Sequence, residues 1–270
     1  MRIAVCLCAL AGLAASAQGA LVTTRTEANQ AAPRAVDNVL GVNEYGPGNG
    51  QSYGGNNATG FGGPVGNGTL YMGASATNLQ VGFTPGANLN DIFCIYFSVN
   101  TSASQSFLAS NQSDNGDGSR RVSTGAAANG VVTYPIAVQY TLVFGNFGAV
   151  LFALRPDSGN PAQIQFLNFD GAASGASNFR ETSISLASIG ATSSSTIDFF
   201  GILASDSRYL SNESMPSSNV WSGALDGGTN PGFNPGTLTV SDYNRFQVPT
   251  PGAAALLGLG GLVATRRRRA

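Results

Sequence analysis

Short apolar stretches, rather than long amphipathic ones, dominate the middle of the chain. Residues 92–99 (IFCIYFSV) are almost continuously apolar, which predicts a central strand covered on both faces. Residues 136–144 carry large apolar side chains at every second position, which is typical of a strand. In residues 163–169 the apolar positions change phase after Phe166, as a β-bulge would produce.

Further stretches of the same kind complete an all-β pattern. Five of them predict strands, at residues 79–83, 149–154, 181–189, 196–204 and 237–246. Clusters of Gly, Asn, Asp, Ser and Pro predict turns at residues 114–118, 156–160, 170–177 and 227–236. Many short strands at this spacing predict an antiparallel β-sandwich or jelly roll, in one domain that spans residues 18–247.

Residues 41–68 stand apart within this domain because 11 of these 28 residues are glycine. Glycine loses more conformational freedom on folding than any other residue, and this composition favours irregular structure. We therefore expect a long irregular loop near the start of the domain. A flexible excursion is the favoured interpretation, and a functional loop is the alternative.

The charges are few and unevenly placed. The 270 residues include 13 arginines, no lysine and 14 acidic residues, and only 10% of residues are charged. Five arginines lie in the terminal segments, so the body has eight arginines against 14 acidic residues and a net charge of −6. An acidic body with dispersed arginines lacks the basic patch that nucleic-acid binding requires. We therefore expect no nucleic-acid partner.

The N-terminus has the pattern of a secretory signal peptide. Arg2 precedes an apolar stretch at residues 3–14, which is too short to span a membrane. Small residues follow, and Ala15 and Ala17 occupy the positions that signal peptidase requires. We therefore predict a signal helix in residues 1–17, with cleavage after Ala17 and with Gly19 or Ala20 as alternative sites.

The C-terminus, residues 248–270, predicts a weak membrane tether. Residues 252–264 are uncharged and mostly apolar, and the uncharged stretch from 248 to 265 is close to the length that a membrane-spanning helix needs. The four arginines that follow would stay on the cytoplasmic side of the membrane. We therefore expect a short transmembrane helix that leaves the exported body attached to the inner membrane at its C-terminal end.

In its three-part layout this segment resembles the PEP-CTERM sorting signal. The matching residues are Pro249, Thr250, Pro251 and Gly252 for the proline motif, residues 253–264 for the apolar helix, and Arg266, Arg267, Arg268 and Arg269 for the basic tail. Thr250 stands where the motif that names the family has glutamate. The resemblance implies recognition by an exosortase, a membrane-embedded cysteine transpeptidase of Gram-negative-type bacteria, and a final place at the cell surface or in the extracellular matrix.

Catalytic chemistry is largely excluded by what the chain lacks. Without histidine and lysine it has no imidazole base, no Ser-Lys pair and no Schiff-base lysine. Residues 50–54 (GQSYG) match the nucleophile-elbow pattern, but that motif needs a histidine partner. A glycosidase needs only two carboxylates, yet the acidic residues are scattered and no two lie close along one strand. We therefore expect no enzymatic activity and no cofactor.

A calcium loop is the remaining metal hypothesis. Ser113, Asn115 and Asp117 would take the first three ligand positions of an EF-hand, with Asp114 between them and Gly118 at the bend. The twelfth position is a threonine, so the bidentate glutamate is missing. An ordinary turn between strands is the favoured interpretation, and no metal site is predicted.

The remaining candidates are aromatic residues and one cysteine. Five aromatic residues in loop-like stretches either face a sugar or plug the ends of the sandwich, and we favour the second interpretation; they are Tyr45, Tyr53, Tyr209, Trp221 and Phe233. Cys94 lies in the apolar stretch 92–99 and is expected to be a small buried hydrophobic residue.

Together these patterns predict an exported surface or matrix protein with a structural or adhesive role. Its expected partners are the secretion translocon, the inner membrane in transit, an exosortase-type enzyme and surface polysaccharide. A carbohydrate-binding module of the same architecture is the alternative, and a carboxylate-dependent glycan hydrolase is the third hypothesis.

Overall fold

The computed structural model describes nine stretches of the chain. These are residues 19–26, 34–56, 63–101, 105–108, 130–155, 163–171, 178–205, 210–219 and 236–250. Within them the chain forms fifteen β-strands and no α-helix, which confirms the predicted all-β class for the described residues. No helix among these residues is long and apolar enough to cross a membrane.

Eight strands form one large sheet. They are Ala20–Thr26 (β1), Ile92–Val99 (β5), Tyr140–Gly145 (β8), Gly148–Arg155 (β9), Gln163–Gly171 (β10), Thr196–Ala204 (β12), Leu210–Met215 (β13) and Asp242–Gln247 (β15). Seven of them follow the order β1-β15-β12-β5-β8-β9-β10. The eighth, β13, pairs with the C-terminal half of β12, whereas β15 pairs with its N-terminal half.

Two smaller sheets complete the fold. One consists of Ser52–Gly54 (β2), Thr69–Ala74 (β3), Asn78–Thr84 (β4) and Arg180–Ser185 (β11), in the order β11-β4-β3-β2. The other consists of Gln105–Leu108 (β6), Gly130–Tyr134 (β7) and Gly236–Thr239 (β14), in the order β14-β7-β6. The four-stranded sheet is antiparallel throughout. The β1–β15 and β14–β7 pairs are parallel, so the eight-stranded and three-stranded sheets are mixed.

The large and the four-stranded sheet bury one apolar core between them. Alternate residues of β5 point into it, because successive side chains of a strand face opposite sides of its sheet. The ring of Phe83 on β4 lies 4.6 Å from that of Phe93 on β5 and 5.9 Å from that of Phe144 on β8, measured between centroids. Burial of such side chains is the main favourable contribution to the stability of the fold.

A second apolar cluster covers the opposite face of the large sheet. Tyr96 of β5 stacks on Phe200 of β12 at 5.1 Å and on Tyr134 of β7 at 5.6 Å, between ring centroids. Cys94 belongs to the same cluster and is fully buried. Because both faces of β5 are covered, all eight of its residues are buried, and the prediction of a central strand at residues 92–99 is confirmed.

Four other predicted strands are also confirmed. Residues 79–83, 149–154 and 196–204 fall in β4, β9 and β12. Residues 163–169 fall in β10, and its register against β9 shifts between Phe166 and Asn168, as the predicted bulge requires.

Two predicted strands are too long. Of residues 136–144, only those from Tyr140 onward form β8; Ile136 and Val138 are buried but precede the strand, close to Pro135, which has no N–H for a ladder. Of residues 181–189, only those up to Ser185 belong to β11. The chain then turns tightly through a 3-10 helix at Ala187–Ile189.

The predicted strand at residues 237–246 is two strands in different sheets, β14 and β15. The break follows from Asn219, whose side-chain oxygen accepts the Asp242 N–H at 2.8 Å and whose side-chain nitrogen donates to the Asp242 carbonyl at 3.1 Å. An amide side chain here satisfies the two backbone groups that a neighbouring strand would otherwise satisfy. Strand β14 therefore ends before this point and β15 begins at it.

The glycine-rich region is mostly irregular, as predicted, but it contains β2 and a 3-10 turn at Pro47–Asn49. Residues 57–62 lie outside the described residues. The buried carboxylate of Glu213 on β13 accepts the Gly63 N–H at 2.8 Å and the Val65 N–H at 3.1 Å. Gly63 has a φ of +85°, a conformation that favours glycine. This contact attaches the end of the region to the large sheet.

Candidate functional site

The predicted sorting motif begins at the last described residues, Pro249 and Thr250. The Val248 N–H donates to the Ser195 carbonyl at 2.9 Å, and the Ser194 N–H donates to the Val248 carbonyl at 3.1 Å. Val248 is 1% exposed, Pro249 is buried and Thr250 is exposed. Exposure therefore changes between Pro249 and Thr250, within the predicted motif.

Most other predicted site residues lie outside the described residues. These are the sorting-signal residues Pro251, Gly252, Arg266, Arg267, Arg268 and Arg269, the signal-peptide residues Ala15 and Ala17, and the loop around Asp114 and Asp117. Among the described residues, no group of three or more His, Cys, Asp or Glu side chains is arranged to hold a metal ion.

The residues that follow the predicted signal-peptide cleavage site are built into the body. The Ala20 N–H donates to the Ser241 carbonyl at 3.0 Å. A Cβ atom on Gly19 would lie 2.2 Å from the Pro135 Cβ and 2.7 Å from the Ser241 carbonyl oxygen, so only glycine fits. Cleavage after Gly19 or Ala20 would remove packed residues, and cleavage after Ala17 would leave both in place. The predicted cleavage site after Ala17 itself lies outside the described residues and stays a prediction.

A pocket lies where the edge strand β1 of the large sheet faces the edge strand β2 of the four-stranded sheet. We call it the β1–β2 pocket; its volume is about 190 Å³. Its lining residues are Val22, Thr23, Arg25, Ser52, Tyr53, Gly54, Gly55, Pro216, Ser217 and Asn244. Arg25 carries the one formal charge in this set, and the other polar groups are hydroxyl and amide side chains.

Several polar side chains of the pocket have no partner in the protein, and one of their atoms is buried. Within the described part of the chain, the side chains of Thr23, Arg25, Ser52 and Asn244 make no hydrogen bond. The Nε atom of Arg25 is buried and lacks an acceptor, and Asn244 is only 2% exposed. Buried donors and acceptors are normally paired, so the Arg25 Nε atom is an exception that needs a physical explanation, whereas the side chains of Thr23 and Ser52 are only half-buried.

The aromatic ring of Tyr53 supports Arg25. The guanidinium carbon lies 5.5 Å from the ring centroid, within the range of a cation–π contact. The Tyr53 hydroxyl donates to the Arg245 carbonyl at 2.8 Å, which fixes the ring. Burial raises the pKa of Tyr53 well above its ordinary value, and the nearby charge of Arg25 opposes this only in part, so the phenol stays protonated.

A carboxylate on the same sheet, that of Asp198, is already neutralised. Arg245 on β15 binds Asp198 on β12 through two hydrogen bonds, Nε to Oδ1 at 2.5 Å and Nη2 to Oδ2 at 2.8 Å. Arg245 and Asp198 alternate with residues of the inner core, Phe246 and Phe199, and therefore lie on the opposite face of the large sheet from the pocket. The charge of Arg25 thus remains available to a ligand.

A second group of charged residues is used to hold loops. The Glu181 Oε1 atom accepts N–H bonds from Asp37 at 2.5 Å and Asn38 at 2.6 Å, and the Glu44 Oε2 atom accepts the Gly41 N–H at 2.7 Å. Burial raises the pKa of Glu181 to about 7. The N–H bonds from Asn38 and Asp37 act to lower this pKa, and the charges of Glu44 and Asp37 act to raise it. Glu181 is only 2% exposed, so its carboxyl group is not presented to a substrate.

The aromatic candidates divide between buried and undescribed residues. Tyr45 is fully buried and Tyr53 is 4% exposed, which fits the interpretation that these rings plug the body. Tyr209, Trp221 and Phe233 lie outside the described residues. Cys94 is fully buried, and burial raises the pKa of its thiol to about 12, so it is a packing residue as predicted.

A comparison of the chain with models of protein families, with curated proteins and with solved structures found no match.

Sequence reasoning named one pocket residue, Tyr53, among the aromatic candidates and missed the polar ones. Arg25 was noted only as one of the dispersed arginines, and Ser52 only within a chance match to an enzyme motif. The available signal is weak, because residues 22–26 (VTTRT) show no alternation of apolar and polar positions. Nothing in the sequence indicates that Asn244, more than 200 positions away, lies beside it.

Proposed function

We propose that the chain is an exported protein that is held at the cell envelope through its C-terminal segment and has a structural or adhesive role there. In this proposal the body is a β-sandwich of the jelly-roll kind, preceded by a signal helix and followed by a short transmembrane helix. An exosortase-type enzyme recognises Pro249, Thr250 and Pro251 once the translocon has exported the body.

The position of Val248 and Pro249 carries this proposal. Both residues are buried at the end of the last strand, and the chain becomes exposed at Thr250. The folded body therefore has no spacer between its edge and the motif. Such a body would lie against the membrane or the processing enzyme. Because few residues of the chain are charged, neighbouring copies at the same membrane would repel each other only weakly.

A reporter fused after Ala270 tests the proposed topology. The arginines at 266–269 should keep the reporter in the cytoplasm or at the inner membrane, while an epitope inserted after Gln18 becomes accessible outside. The proposal fails if the reporter is found beyond the inner membrane and still joined to the intact chain. Replacement of all four arginines by glutamine is the matched variant, and it should release this retention.

The β1–β2 pocket favours a second candidate function, a carbohydrate-binding module at the cell surface. The observation is the cluster of unpartnered hydroxyl, amide and guanidinium groups around a cavity. A glycan array probed with the full chain would separate the two functions. Binding to defined glycans supports the module, and uniform absence of binding leaves the structural role.

We propose no catalytic activity. The carboxyl groups of Glu44, Glu181 and Glu213 accept backbone N–H bonds that hold loops. Turnover of a bound glycan by the purified chain would contradict this part of the proposal.

A further inference from the structure

We propose that the β1–β2 pocket binds a sugar unit that carries a carboxylate, such as a uronic acid of a surface polysaccharide, with Arg25 as the group that recognises the charge. The proposal deepens the carbohydrate-binding candidate above and rests on it for the class of ligand. Its experiment is chosen so that the two ideas fail separately.

The charge of the ligand follows from Arg25. Its guanidinium has no ionic partner among the described residues, and its buried Nε atom has no acceptor. A planar guanidinium offers parallel N–H donors that match the two oxygens of a carboxylate. The Tyr53 ring under the guanidinium holds it in place, so less side-chain freedom is lost when a ligand binds.

A single carboxylate fits better than a phosphate. A phosphate group carries between one and two negative charges near neutral pH, whereas the pocket supplies one cation and lies on a body with an excess of acidic residues. One guanidinium balances one carboxylate. A phosphate here would keep an unbalanced charge in a partly enclosed site, which is unfavourable.

The sugar character of the ligand follows from the other lining groups. The side chains of Thr23, Ser52 and Asn244 lack partners in the described part of the chain and offer both donors and acceptors. A pyranose ring presents several hydroxyl groups of the same two kinds. A ligand with an apolar body would leave these groups unsatisfied, at a free-energy cost for each one.

The place of the pocket suits a polymer. It lies between two sheet edges, beside β1, whose Leu21 and Val22 are 40% and 46% exposed. Its volume of about 190 Å³ holds roughly one sugar ring. One unit of a chain could enter while its neighbours continue along the exposed edge.

Ligand-detected NMR titration of the full chain in mild detergent tests the proposal, with sodium glucuronate, glucose and acetate as probes. We expect glucuronate to bind at least about tenfold more tightly than glucose or acetate. Arg25→Gln should weaken glucuronate binding by about tenfold or more, which is the effect of losing one hydrogen bond to a charged group. Thr24→Gln is the matched control, because Thr24 is exposed and does not line the pocket.

Each outcome decides something. Glucuronate binding that is equal in the native chain and in Arg25→Gln overturns the proposal. If glucose binds both chains as tightly as glucuronate does, the carbohydrate-binding function stands and the acidic sugar is wrong. If acetate binds as tightly as glucuronate, the pocket recognises a bare carboxylate and the sugar is wrong.

A second variant tests the pocket without touching its charge. Thr23 lines the pocket on the same face of β1 as Arg25, and its side chain makes no hydrogen bond among the described residues, so Thr23→Val should fold and remove one hydroxyl group of the lining. We expect it to weaken glucuronate binding by at least about fivefold with Arg25 intact. Unchanged binding in this variant would place the ligand elsewhere and overturn the site.

Discussion

Arg25 and Arg245 lie on adjacent parallel strands and yet have opposite environments. Arg245 forms two hydrogen bonds with Asp198, a carboxylate that is 1% exposed. Arg25, whose backbone is paired with Phe246, lies on the other face of the sheet, against Tyr53 and an open pocket. The same residue type is thus locked on one strand and unpaired on the next.

The difference separates a structural charge from one that is free to bind. A buried carboxylate such as Asp198 needs its partner, because an unpaired buried charge is strongly destabilising. Arg25 does not neutralise a buried carboxylate, since no described carboxylate contacts it. Replacement of Arg245 should therefore lower stability, whereas replacement of Arg25 should weaken ligand binding and leave stability nearly unchanged.

The largest effect is expected at Arg245. Arg245→Met should lower the free energy of unfolding by about 3 kcal/mol, because Asp198 would stay buried without a counter-charge. Urea denaturation of the full chain at pH 7 measures this. The double variant Asp198→Leu with Arg245→Met should regain most of the loss. If Arg245→Met alone were as stable as the native chain, the Arg245–Asp198 ion pair would not stabilise the sheet.

A smaller effect is expected at Tyr53, which connects the two arginines. Tyr53→Phe removes the hydroxyl that donates to the Arg245 carbonyl but keeps the ring, which packs edge-on against Phe199 at 4.8 Å between centroids. We expect a loss of about 1 kcal/mol in the free energy of unfolding. Glucuronate affinity should change little, since the cation–π contact remains. A large loss of affinity would mean that the hydroxyl itself contacts the ligand.

Glu181 extends the comparison to a buried acid without a cation. Its pKa is raised from 4.5 to about 7, so the folded state binds this proton more tightly than the unfolded state. The contribution to stability is present below pH 4.5 and is lost as the pH rises through about 7. Glu181→Gln keeps the acceptor oxygen for Asp37 and Asn38 and cannot ionise.

The difference in unfolding free energy between the native chain and Glu181→Gln, followed from pH 4 to pH 8, isolates this group. We expect the native chain to lose stability relative to the variant over that range. Asp37→Asn, on the neighbouring carboxyl, is the control and should show a weaker trend. A difference that stays flat with pH would show that the carboxyl ionises normally.

The smallest effect on stability is expected at Arg25. Arg25→Gln should change the free energy of unfolding by no more than about 0.5 kcal/mol, because no hydrogen bond or ion pair is lost. Thermal unfolding of the ligand-free chain measures this. A loss comparable to that of Arg245→Met would make Arg25 structural and remove the contrast between the two strands.

The sequence predicts the interior strands well and the edges poorly. The apolar stretches at residues 92–99 and 196–204 predict β5 and β12 correctly, because a strand that is buried on both faces has a nearly continuous apolar sequence. β1 was not predicted, since its Thr- and Arg-rich sequence resembles a loop and its pairing with β15 depends on residues more than 200 positions away.

The remaining errors have local physical causes that no apolar pattern records. Asn219 splits residues 237–246 by taking the place of a neighbouring strand at Asp242. The pocket depends on three elements that are distant in sequence, β1, β2 and β15, so Arg25 could not be distinguished from the other dispersed arginines. By contrast, the proposed sorting motif at Pro249 and Thr250 is a contiguous pattern, which a sequence can display without its fold.

The intact mass of the mature protein, isolated from the cells that produce it, tests the export proposal most directly. We predict a chain that begins at Gln18, because Gly19 fits closely against Pro135 and the Ala20 N–H is bonded to Ser241. We also predict that it has lost the arginines at 266–269 by cleavage beyond Pro249, which is buried in the body. A mature chain that retains Ala17 and ends at Ala270 would contradict both the export and the processing of this protein.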